Sequence, residues 1–237
     1  MQALILVGGL GTRLRQVVND RPKPMALVNS KPFLEYLICN LKSQGVGNFI
    51  LAVGYMGQAI EEYFGDGRRL GIKIKYSYEK EQLGTAGAIK NAENLIASEN
   101  LIVLNGDTFF YVNYKKLMDF HIKKASKFTM VLRKLDDTKR YGTVDIDVDG
   151  KILGFMGKND YDKTNIINGG IYIVNKSLLE CIPNSKSYSL ENELMPRLIS
   201  ENINIYGIIR NGYFIDIGIP EDYYRFINDI KNGVVKC

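Results

Sequence analysis

Between residues 2 and 105, short β-branched runs alternate with stretches of helical period, and this alternation limits the fold more than any other feature of the chain. A strand, an amphipathic helix and a second strand can bury all their apolar faces together as βαβ units around a mainly parallel sheet. The strand candidates are residues 2–7, 48–53, 73–78 and 101–105. Leu34, Leu37, Ile38 and Leu41 keep the i, i+3, i+4, i+7 spacing of one buried helix face, with Pro32 suited to the first turn and Gly45 to the end. The spacing predicts a second helix over 56–64 and a third over 86–96.

After residue 127 the pattern turns to hairpins. Thr143 to Val148 and Lys151 to Phe155 flank Asp149-Gly150, a dipeptide suited to tight reversal. Gly169 to Val174 reads as a strand, and Ile203 to Arg210 with Tyr213 to Ile217 reads as a hairpin about Asn211-Gly212. Pro220 opens a closing helix over Glu221 to Ile230. The expected fold is therefore α/β, a mainly parallel central sheet with antiparallel hairpin additions. With no repeat, low-complexity tract or linker, a single domain over 1–237 is expected.

Composition narrows the partners. At 46% hydrophobic and 24% charged, the 237 residues can bury one large core. No apolar run approaches the ~18 residues of a membrane span, and the first strand has no basic leader, so a cytoplasmic protein without membrane attachment is expected. The net charge of +5 is spread in short pairs such as Arg68-Arg69, which fits a small anionic ligand rather than nucleic acid. Cys39, Cys181 and Cys237 are odd in number and far apart, suggesting neither a disulfide framework nor a zinc site.

Gly8, Gly9 and Gly11 follow the first strand, where missing side chains let backbone N–H groups approach phosphate oxygens. Alone, the glycines suit a tight strand-to-helix turn equally well. The loop is no Walker A, lacking Gly-Lys-Ser/Thr, and Leu14 stands where a dinucleotide fingerprint needs its last glycine. Two cations favour the phosphate reading. Arg13 can clamp β- and γ-phosphates in bidentate fashion, and Lys23, stiffened between Pro22 and Pro24, can aim a point charge at the α-phosphate. Asp107 ends a buried strand, at the sheet edge where open α/β folds bind ligands, and a carboxylate there can hold Mg²⁺ with substrate phosphates and water. A turn or cap role is the plainer alternative for any single aspartate.

Gly-Gly-Leu-Gly-Thr-Arg-Leu from Gly8, Arg-Pro-Lys-Pro-Met from Arg21 and Lys31-Pro32-Phe33-Leu34-Glu35-Tyr36 resemble the N-terminal signature of sugar-1-phosphate nucleotidyltransferases, and the resemblance covers nearly the whole chain. Gly54-Tyr55, Tyr63-Phe64-Gly65-Asp66-Gly67, Leu83-Gly84-Thr85-Ala86-Gly87 and Asn105-Gly106-Asp107-Thr108 are most similar to the heptose-1-phosphate guanylyltransferases of that family. The resemblance implies a Rossmann-like nucleotidyltransferase fold, with a nucleotide-binding half over about 1–112 and a sugar-binding half over about 113–237. It implies a nucleoside triphosphate, GTP favoured, and a sugar 1-phosphate as substrates, with pyrophosphate released. Mannose 1-phosphate, or another base and sugar, stays open, since no residue here names the base.

By the same resemblance, Leu6, Gly8, Gly9, Gly11, Thr12, Gln82, Gly84, Thr85 and Gly106 contact the nucleotide, Arg13 and Lys23 are catalytic, and Asp107 and Asp216 hold Mg²⁺. Thr85 could also serve as a helix cap, and the two roles can hold together. Gly142, Gly157, Lys158, Asn168, Gly169 and Tyr172 face the sugar and its phosphate. His121, the only histidine, falls at helical spacing and is expected to be a packed or solvated helix residue rather than a catalyst. A homodimer is the expected assembly, and a catalytically silent relative of the enzyme is the alternative function, opposed by retention of Arg13, Lys23, Asp107 and Asp216.

The chain departs from the family at Phe155-Met156-Gly157-Lys158, where many members have Phe-x-Glu-Lys. A glycine there, lacking side-chain volume, is expected to leave room for the extra carbon of a heptose. Gly157→Glu should therefore shift selectivity from heptose 1-phosphate towards mannose 1-phosphate in a competition assay; an unchanged ratio would remove Gly157 from sugar selection.

Overall fold

The computed structural model describes residues 1–9, 11, 14, 17–138, 140–156, 164–184 and 187–235, with Met156 described in backbone only. Strands β1 (Gln2–Leu6), β4 (Asn48–Val53), β5 (Lys73–Tyr78) and β6 (Asn100–Asn105) lie within a residue of the sequence expectation. Helices α1 (Phe33–Ser43), α2 (Gly57–Phe64) and α3 (Gly84–Asn91) come between them. The third helix starts two residues earlier than its spacing suggested and gives way to a 3₁₀ turn at Glu93–Leu95.

Two short strands, β2 (Leu27–Val28) and β3 (Lys31–Pro32), pair with each other before α1. Past residue 107 come β7 (Thr108–Phe110), α4 (Tyr114–Lys123), β8 (Phe128–Lys134), β9 (Thr143–Ile146), β10 (Ile152–Met156) and β11 (Ile166–Asn175). The chain continues through α5 (Met195–Ser200), β12 (Ile205–Ile209), β13 (Phe214–Asp216) and α6 (Pro220–Lys231).

The main sheet runs β10-β9-β11-β6-β1-β4-β5, with β8 on β11 and β12 on β8. The β6, β1, β4 and β5 ladders are parallel, while β11 joins β6 antiparallel. Its central strands are apolar almost throughout because both faces are covered. Ala3, Ile5, Ile102 and Leu104 pack on the face carrying α1, α2, α4 and α6, and Leu4, Leu101 and Val103 pack on the face carrying α3 and α5. Phe226 of α6 is fully buried against Phe33 and Phe109, with ring centroids 4.9 and 5.6 Å away. Among the described residues no helix is long and apolar enough to cross a membrane.

The hairpin at 143–155 forms, as β9 and β10, but the one expected about Asn211-Gly212 does not. β12 pairs in parallel with β8, and β13 pairs antiparallel with β7 in a separate two-stranded sheet. The chain crosses from one sheet to the other at Gly212, where a Cβ would stand 1.9 Å from the Tyr111 carbonyl oxygen. Such close backbone approach admits only glycine, so the residue read as a turn former serves a crossing.

His121 is a packed residue, 1% exposed on α4. Its Nδ1 lies 2.8 Å from Thr129 Oγ1 and its Nε2 3.1 Å from Asn100 Oδ1. Since an amide oxygen only accepts, the network assigns the proton to Nε2. Burial, assisted by the charge of Lys127, lowers its pKa from 6.5 to about 4. The unfolded chain therefore binds this proton below about pH 6.5 and the folded chain only below about pH 4. Stability should fall as pH drops through that window. Thermal melts from pH 7 to 4.5 should show a steeper fall in Tm for wild type than for His121→Gln, and parallel profiles would contradict the buried neutral imidazole.

Candidate functional site

The C-terminal ends of β1 and β6, and Glu79 just past β5, border a cavity of about 720 Å³. Leu6, Gly8, Gly9 and Gly11 line it from the β1 side, Gln82, Gly84 and Thr85 from the start of α3, and Gly106 and Asp107 from the end of β6. Gly106 is where the backbones of β1 and β6 meet. Its N–H donates to the Leu6 carbonyl at 2.9 Å, and a Cβ would stand 2.6 Å from that same oxygen.

Lys23 begins a 3₁₀ turn, Lys23–Met25, entered through extended Pro22. The side chain is buried, with Nζ 2.7 Å from Asp107 Oδ2 and 3.6 Å from Asp216 Oδ1. The pairing of β13 with β7 creates this arrangement. It sets Asp216 opposite Thr108, and the Ile217 N–H donates to the Asp107 carbonyl at 3.0 Å. The Gly218 N–H then fixes Asp216 Oδ1 at 2.7 Å.

Two carboxylates thus converge on one positive charge. Among the described residues no cluster of three or more His, Cys, Asp or Glu could hold a metal. Two hard oxygen donors that leave the remaining positions to phosphate and water match the binding habit of Mg²⁺ rather than that of a fully caged ion.

The opposite wall is held by α3. Tyr188 donates its N–H to the Leu83 carbonyl at 2.8 Å, and its own carbonyl accepts from Ala86 N–H at 3.0 Å and Gly87 N–H at 3.1 Å. Thr85 is not the helix cap that sequence allowed, because Leu83 occupies that position. The Thr85 hydroxyl instead accepts the N–H of buried Leu190 at 2.8 Å. A π-helical turn, Leu190–Leu194, follows, and its Glu191 lines the cavity.

Asn168 donates Nδ2–H to Glu191 Oε1 at 2.6 Å and contacts the Tyr172 hydroxyl at 2.7 Å, while its Oδ1 accepts the Gly170 N–H at 2.9 Å. Tyr172 is fully buried, and burial pushes the pKa of its hydroxyl upward, so its position is that of a support beneath Asn168. Gly169 backs onto the Phe110 ring. Gly142 is exposed at the entry to β9, beside Tyr141, whose ring lies 6.2 Å from that of Phe214. Arg140 caps this corner through a 2.6 Å ion pair with Asp222.

Leu6, Gly8, Gly9, Gly11, Lys23, Gln82, Gly84, Thr85, Gly106 and Asp107 are therefore gathered on one cavity, with Asp216 joined to it through Lys23. Asn168 reaches it through Glu191, whereas Gly142, Gly169 and Tyr172 do not line it. Thr12, Arg13, Gly157 and Lys158 lie outside the described residues. Sequence reasoning missed Glu79 and Glu191, because each stands among other charged residues that read as solvated surface.

A glycine loop at the carboxyl end of a parallel sheet, closing on a buried lysine between two aspartates, defines a protein that handles a phosphate-bearing ligand. The chain matches the family described as nucleotidyl transferase over residues 2–233. It is 44% identical over 234 residues to the D-glycero-alpha-D-manno-heptose 1-phosphate guanylyltransferase of Aneurinibacillus thermoaerophilus, covering 99% of this chain and 100% of that one. It is 45% identical to the protein of the same description from Campylobacter jejuni subsp. jejuni serotype O:2, over 96% of this chain and 99% of that one. The crystal structure of HddC from Yersinia pseudotuberculosis superposes with a TM-score of 0.86 at 38% identity, covering 97% and 99% of the two chains. The same protein complexed with GMP-PN gives a TM-score of 0.84. The chain belongs to the nucleotidyl transferase family.

Removing the Thr85 hydroxyl leaves the buried Leu190 N–H without its acceptor, a loss of about 1–3 kcal/mol. Thr85→Val should accordingly lower Tm by several degrees in calorimetry, while Thr85→Ser, which keeps the acceptor, should stay near wild type.

Proposed function

We propose that this chain transfers GMP from GTP to a sugar 1-phosphate, with D-glycero-α-D-manno-heptose 1-phosphate as acceptor, forming a GDP-sugar and releasing pyrophosphate. The observation that carries the reading is the Lys23 ammonium held between Asp107 and Asp216 at the rim of a nucleotide-sized cavity. The described activity of the relatives at 44% and 45% identity supports the same substrates.

The reaction brings a phosphate anion against a triphosphate, so positioning and charge neutralisation make up most of the catalytic task. A phosphate oxygen of the acceptor attacks the α-phosphorus in line, the bond to the bridging oxygen breaks, and pyrophosphate departs. No protein nucleophile takes part. Lys23, already aimed by Pro22 and its two aspartates, moves part of its charge from Asp107 to the α-phosphate as negative charge builds there. Asp107 and Asp216 are the residues that would hold Mg²⁺, which when bound would supply positive charge to neutralise the phosphates.

The amides of the glycine loop hold the triphosphate, with Arg13 as its clamp. Gln82, Gly84 and Thr85 border the base, and Gly106 lets the nucleoside lie close to the sheet. Asn168 and Glu191 supply an amide and a carboxylate for sugar hydroxyls, with Lys158 on the acceptor phosphate. Gly142 and Gly169 shape that end, and Tyr172 keeps Asn168 in place. The protein works in the cytoplasm as a homodimer of single-domain subunits, and its product feeds surface polysaccharide synthesis, including capsule.

Pyrophosphate release should be measured with the four nucleoside triphosphates against heptose, mannose and glucose 1-phosphates, with Mg²⁺ present. GTP with heptose 1-phosphate should be turned over fastest, and turnover with no pair would overturn the reading in favour of a silent relative. Lys23→Ala should lower kcat by about 10²-fold or more, in the range for loss of one transition-state donor. A near-normal rate would remove Lys23 from catalysis.

A further inference from the structure

Arg133 lies next to the end of β8, and Arg210 directly follows β12. Among the described residues Arg21, Arg68, Arg69, Arg140, Arg197 and Arg225 each form an ion pair with a carboxylate, whereas Arg133 and Arg210 form none. These two are also neighbours. The parallel ladder pairs Ile209 with Leu132, and the Arg210 N–H extends it by donating to the Leu132 carbonyl at 2.9 Å. Positions 133 and 210 are therefore the next pair along, on one face of the sheet. Arg133 Nη1 reaches the Arg210 carbonyl at 3.5 Å, and Arg210 Nη1 donates to the Ile209 carbonyl at 2.9 Å. Arg133 Nε is buried and has no hydrogen-bond partner.

Carbonyl oxygens take up single N–H donors but leave both positive charges uncompensated. Both side chains are half-buried, so desolvation adds to the repulsion between two like charges. Burial lowers the pKa of Arg210 accordingly. A pair placed this way, against the rule that the other arginines follow, marks a position where charge is supplied from outside the chain.

The pair is separate from the cavity. Side chains alternate across a strand, and Leu132 packs on the face carrying α3 and α5 while Val131 packs on the face carrying α4 and α6. Arg133 shares the face of Val131, whereas Asn168, the register partner of Leu132, belongs to the other. Neither arginine lines the cavity. The two guanidinium groups thus stand behind Asn168, at the same edge of the sheet but across it.

One guanidinium matches one carboxylate through two parallel N–H bonds. Two side by side supply two charges and two such forks, which match the charge and the several oxygens of a phosphate dianion. We propose that Arg133 and Arg210 form a second anion site, outside the cavity, for a phosphate group carried as the free ion or as a phosphate monoester. This site does not depend on the nucleotide chemistry assigned to the cavity, and its ligand leaves Lys23 free.

The test is a set of thermal melts at fixed ionic strength, balanced with sodium chloride, on wild type, Lys23→Ala and the double variant Arg133→Gln/Arg210→Gln. With inorganic phosphate raised to about 20 mM, wild type should gain about 3 °C or more in Tm. Lys23→Ala, which lacks the cation of the cavity, should keep that gain, and the double variant should lose it. Without phosphate the double variant should melt no lower than wild type, because it is relieved of like-charge repulsion. A gain lost in Lys23→Ala and kept in the double variant places phosphate in the cavity and overturns the proposal. A double variant that melts below wild type by the same margin at every phosphate concentration marks a structural role and overturns it too. Mannose 6-phosphate in place of inorganic phosphate separates the carriers: an arginine-dependent gain with both supports a site open to esters, and a gain with inorganic phosphate alone supports one for the free ion. Should the double variant fail to fold, Arg210→Gln alone carries the same comparison.

Discussion

The contact on which the site depends is a backbone ladder, the pairing of β13 with β7. Asp107 sits at the end of β6 by the topology of the parallel sheet, but Asp216 comes from 109 residues later and has no place in that sheet. The β13-β7 ladder, locked by the Ile217 N–H on the Asp107 carbonyl, converts that separation into two carboxylates within reach of one ammonium. The aromatic packing of Phe226 on Phe33 and Phe109 braces the same region through α6, so the small sheet is held between α1 and the last helix. Charge placement at the site follows from ordinary packing elsewhere.

The carboxylates bordering the cavity fall into different electrostatic settings. Asp107 and Asp216 are compensated by Lys23, Glu191 is hydrogen-bonded by the Asn168 amide, and Glu79, among the described residues, accepts a long hydrogen bond from the Leu83 N–H. A carboxylate held by a cation can pass that cation to an incoming phosphate. One held by a neutral amide keeps acceptor capacity for hydroxyls. The cavity is thereby graded along its length before any substrate enters.

Much of this was legible because local pattern and tertiary structure agree. Strands buried on both faces keep unbroken apolar runs, and α1 keeps its stripe, so β1, β4, β5, β6 and α1 could be read with little error. Gly8, Lys23 and Asp107 were legible because each stands in a motif whose chemistry needs that residue type. Asn211-Gly212 misled because a turn and a close crossing of chains both demand glycine, and only the partner at Tyr111 tells them apart. Thr85 misled in the same way, since a helix cap and an acceptor for a distant N–H call for the same hydroxyl. Glu79 and Glu191 were hidden by charged neighbours, as which side chains border the cavity is decided by segments far away in the chain.

The order of these elements along the chain has a consequence for biosynthesis. The loop at Gly8 and the Lys23 turn emerge first, and Asp107 can join them once the parallel sheet has closed. Until residues 214–216 have emerged and paired with β7, Lys23 has one of its two carboxylates, and until α6 docks the small sheet lacks its aromatic brace. A nascent chain of this protein can thus set Lys23 beside Asp107 before the second carboxylate arrives. The C-terminal segment is therefore the last contributor to the surroundings of Lys23 to leave the ribosome.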